Sequence, residues 1–440
     1  MTDTAVTTAR PSRATERAAV LVLGGGTRLP AALRAHGMYV VYGGTRDEFG
    51  PGHRGACDEA LLLPDDSPQA WIRRALLLHQ ELSFRRVVTV RERFLTTAAR
   101  IVDALGLGGN PLTTVLTLQD KALMRRHPGL LADACAVRAR VLRGPEDVDA
   151  FIALAGLPVV VKPRGGSGSE GVLVVRDPAD VAAARGRAVR DPEQLLVEEF
   201  LDGPEFSVES FTSEGRHHIL AVTEKFTGAN AVEVGHVVPA RIGAVRLQAL
   251  EAAARRFLDA VGLTEGPAHT EIILTARGPR IVESHNRPGG DGIVDLVRHV
   301  RGVDVRDLLA AQVSGAPLGL PPATGPHGAA ATWFLTPDPG VVTGLTGWEQ
   351  AAACPGVVEL AQDIRLGDTV APLRGSGDRC GAVTAIGADP DEALDRVRHA
   401  LSLIHVTTEA AGAAEAAENA GNTGKAENTG NTGNDHEERR

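Results

Sequence analysis

The sequence predicts a multidomain protein of mixed α/β and α+β class. Short apolar runs alternate with helix-like segments over residues 17–114, which is typical of a small parallel α/β domain. A strand, a glycine-rich loop and a second strand follow one another at 158–175, in the middle of the chain. After Pro321 and Pro322, short strand-like runs and turns over 330–408 indicate a small α+β domain.

Length and composition exclude several classes of protein. The chain has 440 residues, with 43% hydrophobic and 23% charged residues, as expected for a soluble globular protein. A net charge of −9 and a pI of about 5.9 argue against a nucleic-acid or membrane partner. No apolar run is long enough to span a membrane, and the N-terminus lacks a signal-peptide core. Four scattered cysteines without a C-x-x-C pair favour a cytoplasmic location over a disulfide framework or a zinc site.

The N-terminal α/β domain begins after a polar arm, residues 1–16, which we expect to be disordered. Its first strand runs into the strand-to-helix turn Gly24, Gly25 and Gly26. Leu29 stands where a dinucleotide-binding turn needs its third glycine, so we predict a purely structural turn. The elements predicted for this domain are strands at 18–23, 38–42, 60–63 and 86–90, and helices at 68–82 and 92–105.

The remaining elements follow from periodicity and from glycine and proline signals. A helix at 118–127 is predicted to carry Lys121, and Glu233 and His236 are predicted to lie in a loop bounded by glycine and proline. The tail, residues 409–440, is low in complexity and is predicted to be disordered. Strands are predicted at 195–201, 205–211, 270–275 and 280–282, and further helices at 145–154, 246–261, 290–301 and 390–403.

The glycine-rich loop 164–171 lies between two strands and contains four glycines and two serines. Glycine N–H groups can approach an anion closely, and Lys162 at the end of the first strand adds a point charge. Because a strand rather than a helix follows, the loop fits neither the dinucleotide-binding nor the P-loop pattern. The interpretation as a flap over nucleotide phosphates competes with that of a hairpin that binds nothing.

Lysine usage points to the same region. The chain has 46 lysines and arginines, but only Lys121, Lys162, Lys225 and Lys425 are lysines. A lysine retained in such an arginine-rich chain indicates a position that needs a compact point charge rather than a planar guanidinium. Lys425 belongs to the low-complexity tail, so the other three are candidates for a site.

Two pairs of glutamates extend the hypothesis. Glu198 and Glu205 flank a turn and could hold an exocyclic amine and a ribose, although two solvent-exposed glutamates are an equally simple interpretation. With a three-residue loop at 276–278, Glu271 lies opposite Glu283 across a hairpin. Two opposed carboxylates are unfavourable without a cation, and a magnesium ion shared with ATP phosphates would supply it. The alternative is an exposed polar hairpin in a slightly different register.

Together these stretches resemble the ATP-grasp superfamily, and in particular its carboxylate–amine ligases. The resemblance covers roughly residues 92–301, and within it the chain is most similar to the L-amino-acid (dipeptide) ligases. The motifs appear in the family's order, as DK at 120–121, KPRGGSGSEGV at 162–172, EEFLDGPEF at 198–206, HTEI at 269–272 and ESHNRPGG at 283–290.

The resemblance implies a division into domains and a set of ligands. It implies an ATP-grasp fold with an N-terminal Rossmann-like domain at 17–114, an ATP-grasp domain at 115–329 with its lid at about 118–205, and a C-terminal domain at 330–408. Lys121 and Lys162 would contact the ATP phosphates. Further ATP contacts are implied for Gly166, Ser167, Gly168, Ser169, Glu198, Glu199, Leu201 and Glu205.

The resemblance also implies the metal and substrate residues. Glu271 and Glu283 would ligate Mg²⁺, with Mn²⁺ as an alternative ion, and His285 occupies the place of the usual asparagine, which leaves the third metal contact open. Catalytic roles are implied for Arg287, Gly289, Gly290 and His236. Substrate contacts are implied for Glu233, His236, Arg287 and Asp291.

The implied reaction has two steps. A carboxylate attacks the γ-phosphate of ATP to give an acyl phosphate and ADP, and an amine then displaces phosphate to form an amide between an amino acid and an amine or second amino acid. The alternatives are an ATP-grasp carboxylase, a purine-pathway type of ligase, or an ATP-binding protein without catalysis. The sequence leaves a homodimer open and does not identify the two substrates.

Overall fold

The computed structural model describes residues 17–64, 67–131, 135–166, 168–228, 232–320 and 328–410. The predicted arm, Ser167 and residues 411–440 of the predicted tail lie outside this range. Among the described residues, no helix is long and apolar enough to cross a membrane. The four cysteines, all within the described ranges, form no disulfide.

The N-terminal region forms the parallel sheet that the sequence predicts. Its strands lie in the order β3-β2-β1-β4, and β1 is buried throughout because both of its neighbours run parallel to it. The elements are β1 (Ala19–Leu23), α1 (Arg28–Ala35), β2 (Tyr39–Thr45), α2 (Pro51–Ala56), β3 (Glu59–Leu63), α3 (Pro68–Leu82), β4 (Arg86–Val88) and α4 (Leu95–Leu105).

A second, antiparallel sheet carries the glycine-rich loop. Its strand order is β5-β8-β6-β7, and two helices pack on it through an apolar core that includes Phe151 and Ala184 of the helices and Val161 of β6. We call residues 139–199 the lid sheet region. The elements that lead into and form it are α5 (Leu112–Gln119), α6 (Lys121–Arg126), α7 (Pro128–Leu131), β5 (Ala139–Val141), α8 (Glu146–Ala155), β6 (Val159–Pro163), β7 (Leu173–Val175), α9 (Pro178–Arg190) and β8 (Leu195–Glu199).

The prediction of a single helix at 118–127 is wrong, because the helix is interrupted at Asp120. The backbone of Asp120 is extended, with φ −132° and ψ 108°, and its carboxylate accepts from the N–H groups of Ala122 and Leu123 at the start of α6. This is an N-cap, which aspartate favours because it satisfies otherwise unpaired N–H groups. The break places Lys121 in the first turn of α6, facing the site.

An eight-stranded sheet forms the centre of the protein, in the order β13-β12-β9-β10-β11-β14-β18-β16. Its last three strands come from the C-terminal region, so this region continues the central sheet. The elements are β9 (Glu205–Ser213), β10 (Arg216–Thr227), β11 (Glu233–Val238), α10 (Ala244–Val261), β12 (Gly266–Thr275), β13 (Gly278–His285), α11 (Ile293–Arg301), α12 (Val305–Ser314), β14 (Ala329–Phe334), β15 (Gly340–Thr346), α13 (Trp348–Ala352), β16 (Val357–Gln362), β17 (Thr369–Val370), β18 (Gly381–Gly387), α14 (Pro390–Ser402) and β19 (His405–Glu409).

The hairpin β12–β13 brings Glu271 opposite Glu283, as predicted, but by a different path. Thr275 pairs with Gly278 rather than with Pro279, so the loop is shorter than the predicted three residues. An irregularity in the ladder next to Glu271 restores the predicted pairing, because a β-bulge adds one residue to one strand.

Two further predictions are corrected by the central and small sheets. Glu233 and His236 lie on β11, not in a loop, and His236 pairs with Lys225 of β10 on one side and Thr332 of β14 on the other. Glu409, predicted to start the disordered tail, ends β19 and pairs with Val341. β19 belongs to a three-stranded sheet of order β17-β15-β19.

An apolar core joins the N-terminal sheet to the central sheet. Val20 and Val40 of the N-terminal strands pack in one cluster with Val297 of α11 and Leu308 of α12. A polar contact supports the same interface, because Arg86 donates to both carboxylate oxygens of Glu265, at 2.8 and 3.0 Å. These contacts fix the N-terminal turn beside the central strands.

We predict that Gly203→Ala destabilises the protein by about 2–4 kcal/mol in chemical denaturation, because a side chain here is both strained and obstructed. Gly203 lies between β8 and β9 with φ +153°, and a Cβ there would be 2.3 Å from the carbonyl oxygen of Leu274. Gly186 in α9 is the control, since a Cβ there meets nothing within 4 Å. Gly186→Ala should be neutral or stabilising by up to about 1 kcal/mol. Equal stability of the two variants would contradict the Gly203 geometry.

Candidate active site

Two cavities meet beside strands β11, β12 and β13 of the central sheet. The smaller, about 150 Å³, lies between the lid sheet region and the central strands, and the larger, about 740 Å³, lies between the N-terminal turn, the central strands and the C-terminal region. Their walls share four residues, Gly168, Glu233, Glu271 and Glu283. A group bound in one cavity therefore lies beside a group bound in the other.

The smaller cavity collects the residues for which the resemblance implies ATP contacts. Lys121 and Lys162 line it on one side. The described members of the predicted ATP set that also line it are Gly166, Gly168, Ser169, Glu198, Glu199, Leu201 and Glu205. Ser167 lies outside the described residues.

Lys121 connects the loop to the acidic pair. Its Nζ lies 2.7 Å from Glu283 Oε2 and donates to the carbonyl oxygen of Gly166 at 2.9 Å. The backbone N–H of Lys121 also donates to the carbonyl oxygen of Arg164, at 2.8 Å. Lys121 is therefore tied to the glycine loop through both side chain and backbone.

Glu198 holds two cations in the wall of the smaller cavity. Its oxygens lie 2.7 Å from Lys162 Nζ and 2.7 Å from Arg125 Nε, and its side chain is only 4% exposed. Burial alone would raise the pKa of Glu198, but Arg125 and Lys162 lower it, so the carboxylate stays charged. Arg125 carried no signal in the sequence, because an arginine on an amphipathic helix is ordinary.

Glu199 and Glu205 have different surroundings. The Glu199 carboxylate accepts from the Arg138 backbone N–H at 2.9 Å and from Arg277 at 2.9 Å. It therefore connects β8 to the residue that precedes β5 and to the β12–β13 turn. Glu205 instead is the first residue of β9 in the central sheet, and its carboxylate lies 2.7 Å from Lys225 Nζ on β10. Glu199 thus contributes structure around the cavity as well as lining it.

Lys225 is the functional residue that the sequence analysis left without a role. Its Nζ lies 2.7, 3.0 and 2.8 Å from carboxylate oxygens of Glu205, Glu233 and Glu271. Oxygens of these three glutamates come within 4.8 Å of one another, a spacing that could suit a metal ion, but the ammonium of Lys225 lies among them. Its rarity as a lysine was the available signal.

The pair Glu271 and Glu283 is supported by a row of imidazoles. Glu271 accepts from His269 Nε2 at 3.1 Å, and Glu283 lies 3.1 Å from His285 Nε2. Burial alone would raise the pKa of Glu283, but Lys121 and His285 lower it well below its usual value. Both glutamates are therefore charged oxygen donors at the junction of the cavities, which fits the ligand set that Mg²⁺ prefers.

His285 connects the N-terminal region to the acidic pair. Its Nδ1 lies 3.1 Å from Glu92 and its Nε2 lies 3.1 Å from Glu283. Burial alone would lower the pKa of His285, but Glu283 and Glu92 raise it. His285 thus lies between two carboxylates, and its metal contact stays a prediction.

Arg287 and the two glycines after it line the larger cavity. Arg287 forms an ion pair with Glu92 of the N-terminal region and donates to the Pro288 carbonyl oxygen at 2.9 Å. Gly289 is required by close packing, since a Cβ there would lie 2.9 Å from Glu209 Oε2 and 3.0 Å from His269 Nδ1. The loop therefore lies directly on the buried Glu209–His269 pair.

The predicted substrate residues also come together in the larger cavity. Glu233, His236 and Asp291 line it, and His236 Nε2 lies 3.8 Å from Asp291 Oδ2. His236 is fully buried, neither of its ring nitrogens has a hydrogen-bond partner within the described structure, and burial lowers its pKa. A neutral, unpartnered imidazole at a cavity wall is suited to bind a polar group or to accept a proton.

Family comparison identifies two domains. Residues 155–295 match the ATP-grasp domain, and residues 333–409 match the L-amino acid ligase C-terminal domain 2. The chain thus contains an ATP-grasp domain and an L-amino acid ligase C-terminal domain. These domains, with the relatives below, indicate an ATP-dependent ligase that forms carbon–nitrogen bonds, close to the L-amino acid ligases.

Similar proteins agree with this assignment. The chain is 29% identical over 428 residues to the phosphoribosylamine–glycine ligase of Streptomyces coelicolor, covering 90% of this chain and 100% of the relative. It is 24% identical over 248 residues to the alanine–anticapsin ligase of Bacillus subtilis, covering 51% of this chain and 52% of the relative. The crystal structure of an L-amino acid ligase from Bacillus licheniformis shares the fold, with a TM-score of 0.76, 22% identity and coverage of 89% of this chain and 99% of that one.

We predict an alkaline loss of stability that depends on His269. His269 Nδ1 lies 2.8 Å from Glu209; burial alone would lower its pKa, but Glu209 and Glu271 raise it from 6.5 to about 9. Because the pKa of His269 is higher in the folded than in the unfolded chain, protonated His269 stabilises the fold. This contribution is complete at a pH below the pKa of the unfolded chain and is lost as the pH rises through about 9. Relative to His269→Gln, the wild type should lose on the order of 3 kcal/mol of unfolding free energy over this range. Parallel pH profiles of the two proteins, measured by denaturant unfolding, would refute the charged pair.

Proposed function

We propose that this protein joins the carboxylate of an amino acid to an amine or to a second amino acid through an acyl phosphate, with release of ADP and phosphate. The observation that carries the proposal is the junction of the two cavities at Glu271 and Glu283. The smaller cavity would hold ATP and the larger the substrates, so the γ-phosphate and the attacking carboxylate would meet at this junction.

The first step depends on charge neutralisation at the junction. Lys121, Lys162 and Lys225 are the three ammonium groups beside it, and they would offset the charge of the transferring phosphoryl group. Glu271 and Glu283 would hold Mg²⁺, or alternatively Mn²⁺, which supplies further charge neutralisation to the phosphates when bound. The attacking carboxylate oxygen takes the γ-phosphoryl group, and ADP leaves.

The second step needs an amine that has lost its proton. His236 is neutral, buried and unpartnered, so it would accept the proton of the incoming ammonium, and Asp291 at 3.8 Å would stabilise the imidazolium that results. The amine nitrogen then attacks the acyl carbon and the carbon–oxygen bond to phosphate breaks. Phosphate leaves as hydrogen phosphate, with the second proton that the nitrogen gives up. Arg287 and the backbone of Gly289 and Gly290 would face the developing oxyanion.

A second candidate is a ligase of the phosphoribosylamine–glycine type, which the alignment over the full length of that relative favours. The L-amino acid ligase C-terminal domain supports the first candidate over it. A cytoplasmic location and a homodimer are compatible with either. Both candidates use the same nucleotide residues, so substrates must decide between them.

We predict amino-acid-dependent ADP formation from ATP and Mg²⁺, with a condensed product detected by mass spectrometry. The assay covers single amino acids, all pairs, glycine with phosphoribosylamine, and bicarbonate. Hydroxylamine, a small amine nucleophile, should trap the acyl phosphate as a hydroxamate when the acyl amino acid is present alone. Turnover with phosphoribosylamine and glycine only, or with bicarbonate only, would replace the proposal by the corresponding alternative.

We also predict that Glu283→Gln lowers turnover at least about a thousandfold, because it removes a charged oxygen donor from the reaction junction. Circular dichroism and the unfolding midpoint control for the fold. The matched control is Glu265→Gln, since Glu265 pairs with Arg86 at the N-terminal interface and not at the junction. Near-normal turnover of Glu283→Gln would eliminate the assignment of this carboxylate.

A further inference from the structure

The C-terminal region reaches the junction of the two cavities through a short segment at Ser376. Ser376 begins a 3-10 turn, Ser376–Asp378, and lines the larger cavity. Its backbone N–H donates to the carbonyl oxygen of Gly168 in the glycine loop, at 3.2 Å. Its hydroxyl donates to Glu233 Oε2, also at 3.2 Å. Ser376 therefore contacts the glycine loop and strand β11, which carries Glu233, at the same time.

Arg379, just after this turn, extends the connection to Asp291, in the loop between β13 and α11. Its Nε donates to the carbonyl oxygen of Ser376 at 2.8 Å, and its terminal nitrogens donate to both oxygens of Asp291, at 3.0 and 2.6 Å. The guanidinium also lies 3.8 Å above the ring of Phe334. A two-pronged carboxylate contact together with a stacked ring permits one orientation of the side chain.

Asp291 needs such support. It has φ +55°, a conformation that non-glycine residues adopt at an energetic cost. It directly follows Gly289 and Gly290 and lines the larger cavity beside His236. Burial alone would raise the pKa of Asp291, but the Arg379 guanidinium on both of its oxygens lowers it, so the carboxylate remains charged in this position.

We propose that Ser376 and Arg379 are positioning residues that connect closure of the glycine loop to the placement of Asp291 at the substrate site. The chain of contacts runs from Gly168 through Ser376 and Arg379 to Asp291. Its catalytic consequence rests on the proposed ligase function. With the loop held closed, water is kept from the acyl carbon, where its attack would release the free acid and inorganic phosphate instead of an amide.

The loop contact can be tested without catalysis. Amide hydrogen exchange of residues 164–171 is measured on the full chain with Mg²⁺ and AMPPNP, an ATP analogue that is not hydrolysed. Ser376→Pro removes the donating N–H, and proline suits the first position of a helical turn after the extended Gly375 (φ −163°, ψ 173°). Ser376→Ala keeps the N–H.

We expect Ser376→Pro to speed exchange of the loop amides about fivefold, as the loss of one hydrogen bond allows, and Ser376→Ala to match the wild type in this measurement. Equal exchange in Ser376→Pro and Ser376→Ala, with both folded by circular dichroism, would overturn the loop contact. If Ser376→Pro does not fold, exchange in Arg379→Gln decides instead: faster exchange supports the connection, and unchanged exchange overturns it.

The connection to the substrate side is read from coupling. In Arg379→Gln, we expect amide product per ADP to fall about fivefold or more, because more acyl phosphate reaches water. Arg374→Gln removes the same charge from an exposed position in the same segment and should leave the ratio unchanged. An unchanged ratio in Arg379→Gln would overturn this part. If the wild type forms no amide from any amino acid, the proposed function fails, while the exchange comparison still decides whether the loop contact exists.

Discussion

The pairing of buried carboxylates with lysines is the interaction on which the rest of this structure depends. Glu198, Glu233 and Glu283 are all almost fully buried, and an isolated carboxylate in such a place would be protonated or would unfold the protein. Each of them instead lies within 3.0 Å of an ammonium group. The site is therefore a compact cluster of ion pairs that joins glutamates of β8, β11 and β13 to three lysines.

The residues of this ion-pair cluster come from separate parts of the chain, which explains the architecture around it. The glycine loop forms one wall of the smaller cavity, and the central strands contribute carboxylates. The N-terminal region contributes Glu92, which contacts Arg287 and His285. The C-terminal strands extend the central sheet next to β11, so that their turns reach the same place. Moving any one of these parts would leave a buried charge unpaired, which favours one arrangement of all of them.

Much of the fold was predictable from local patterns, and the failures have local causes. Helix α3 was predicted with its observed bounds. The opposition of Glu271 and Glu283 was predicted, but from a longer loop, because the bulge beside Glu271 could not be foreseen from the strand period. The break at Asp120 was missed because its capping role competes with an otherwise continuous helical pattern. β11 was read as a loop because glycine and proline surround it, whereas two neighbouring strands hold it in the sheet.

The candidate site was predictable in its members but not in its partners. The sequence identified Lys121, Lys162, Glu271 and Glu283 by spacing and rarity. It could not show that Lys225 lies among three glutamates or that Arg379 reaches Asp291, because these contacts join residues far apart in the chain. His285 illustrates the same limit, since its engagement by Glu92 depends on how the N-terminal region packs on the central sheet.

Under the proposed function, which passes through an acyl phosphate, the scarcity of lysine has a chemical consequence. A free primary amine on the protein would itself be acylated by such an intermediate, whereas a guanidinium would not. Lys121, Lys162 and Lys225 each lie 2.7 Å from a carboxylate oxygen. Burial alone would lower the pKa of Lys121 and Lys225, but Glu283 and Glu205 raise it, so these two amines stay protonated and have no lone pair with which to attack. Arginine supplies nearly all other positive charge in the chain. With the proposed acyl phosphate as intermediate, this composition would limit covalent modification of the protein by its own product of the first step.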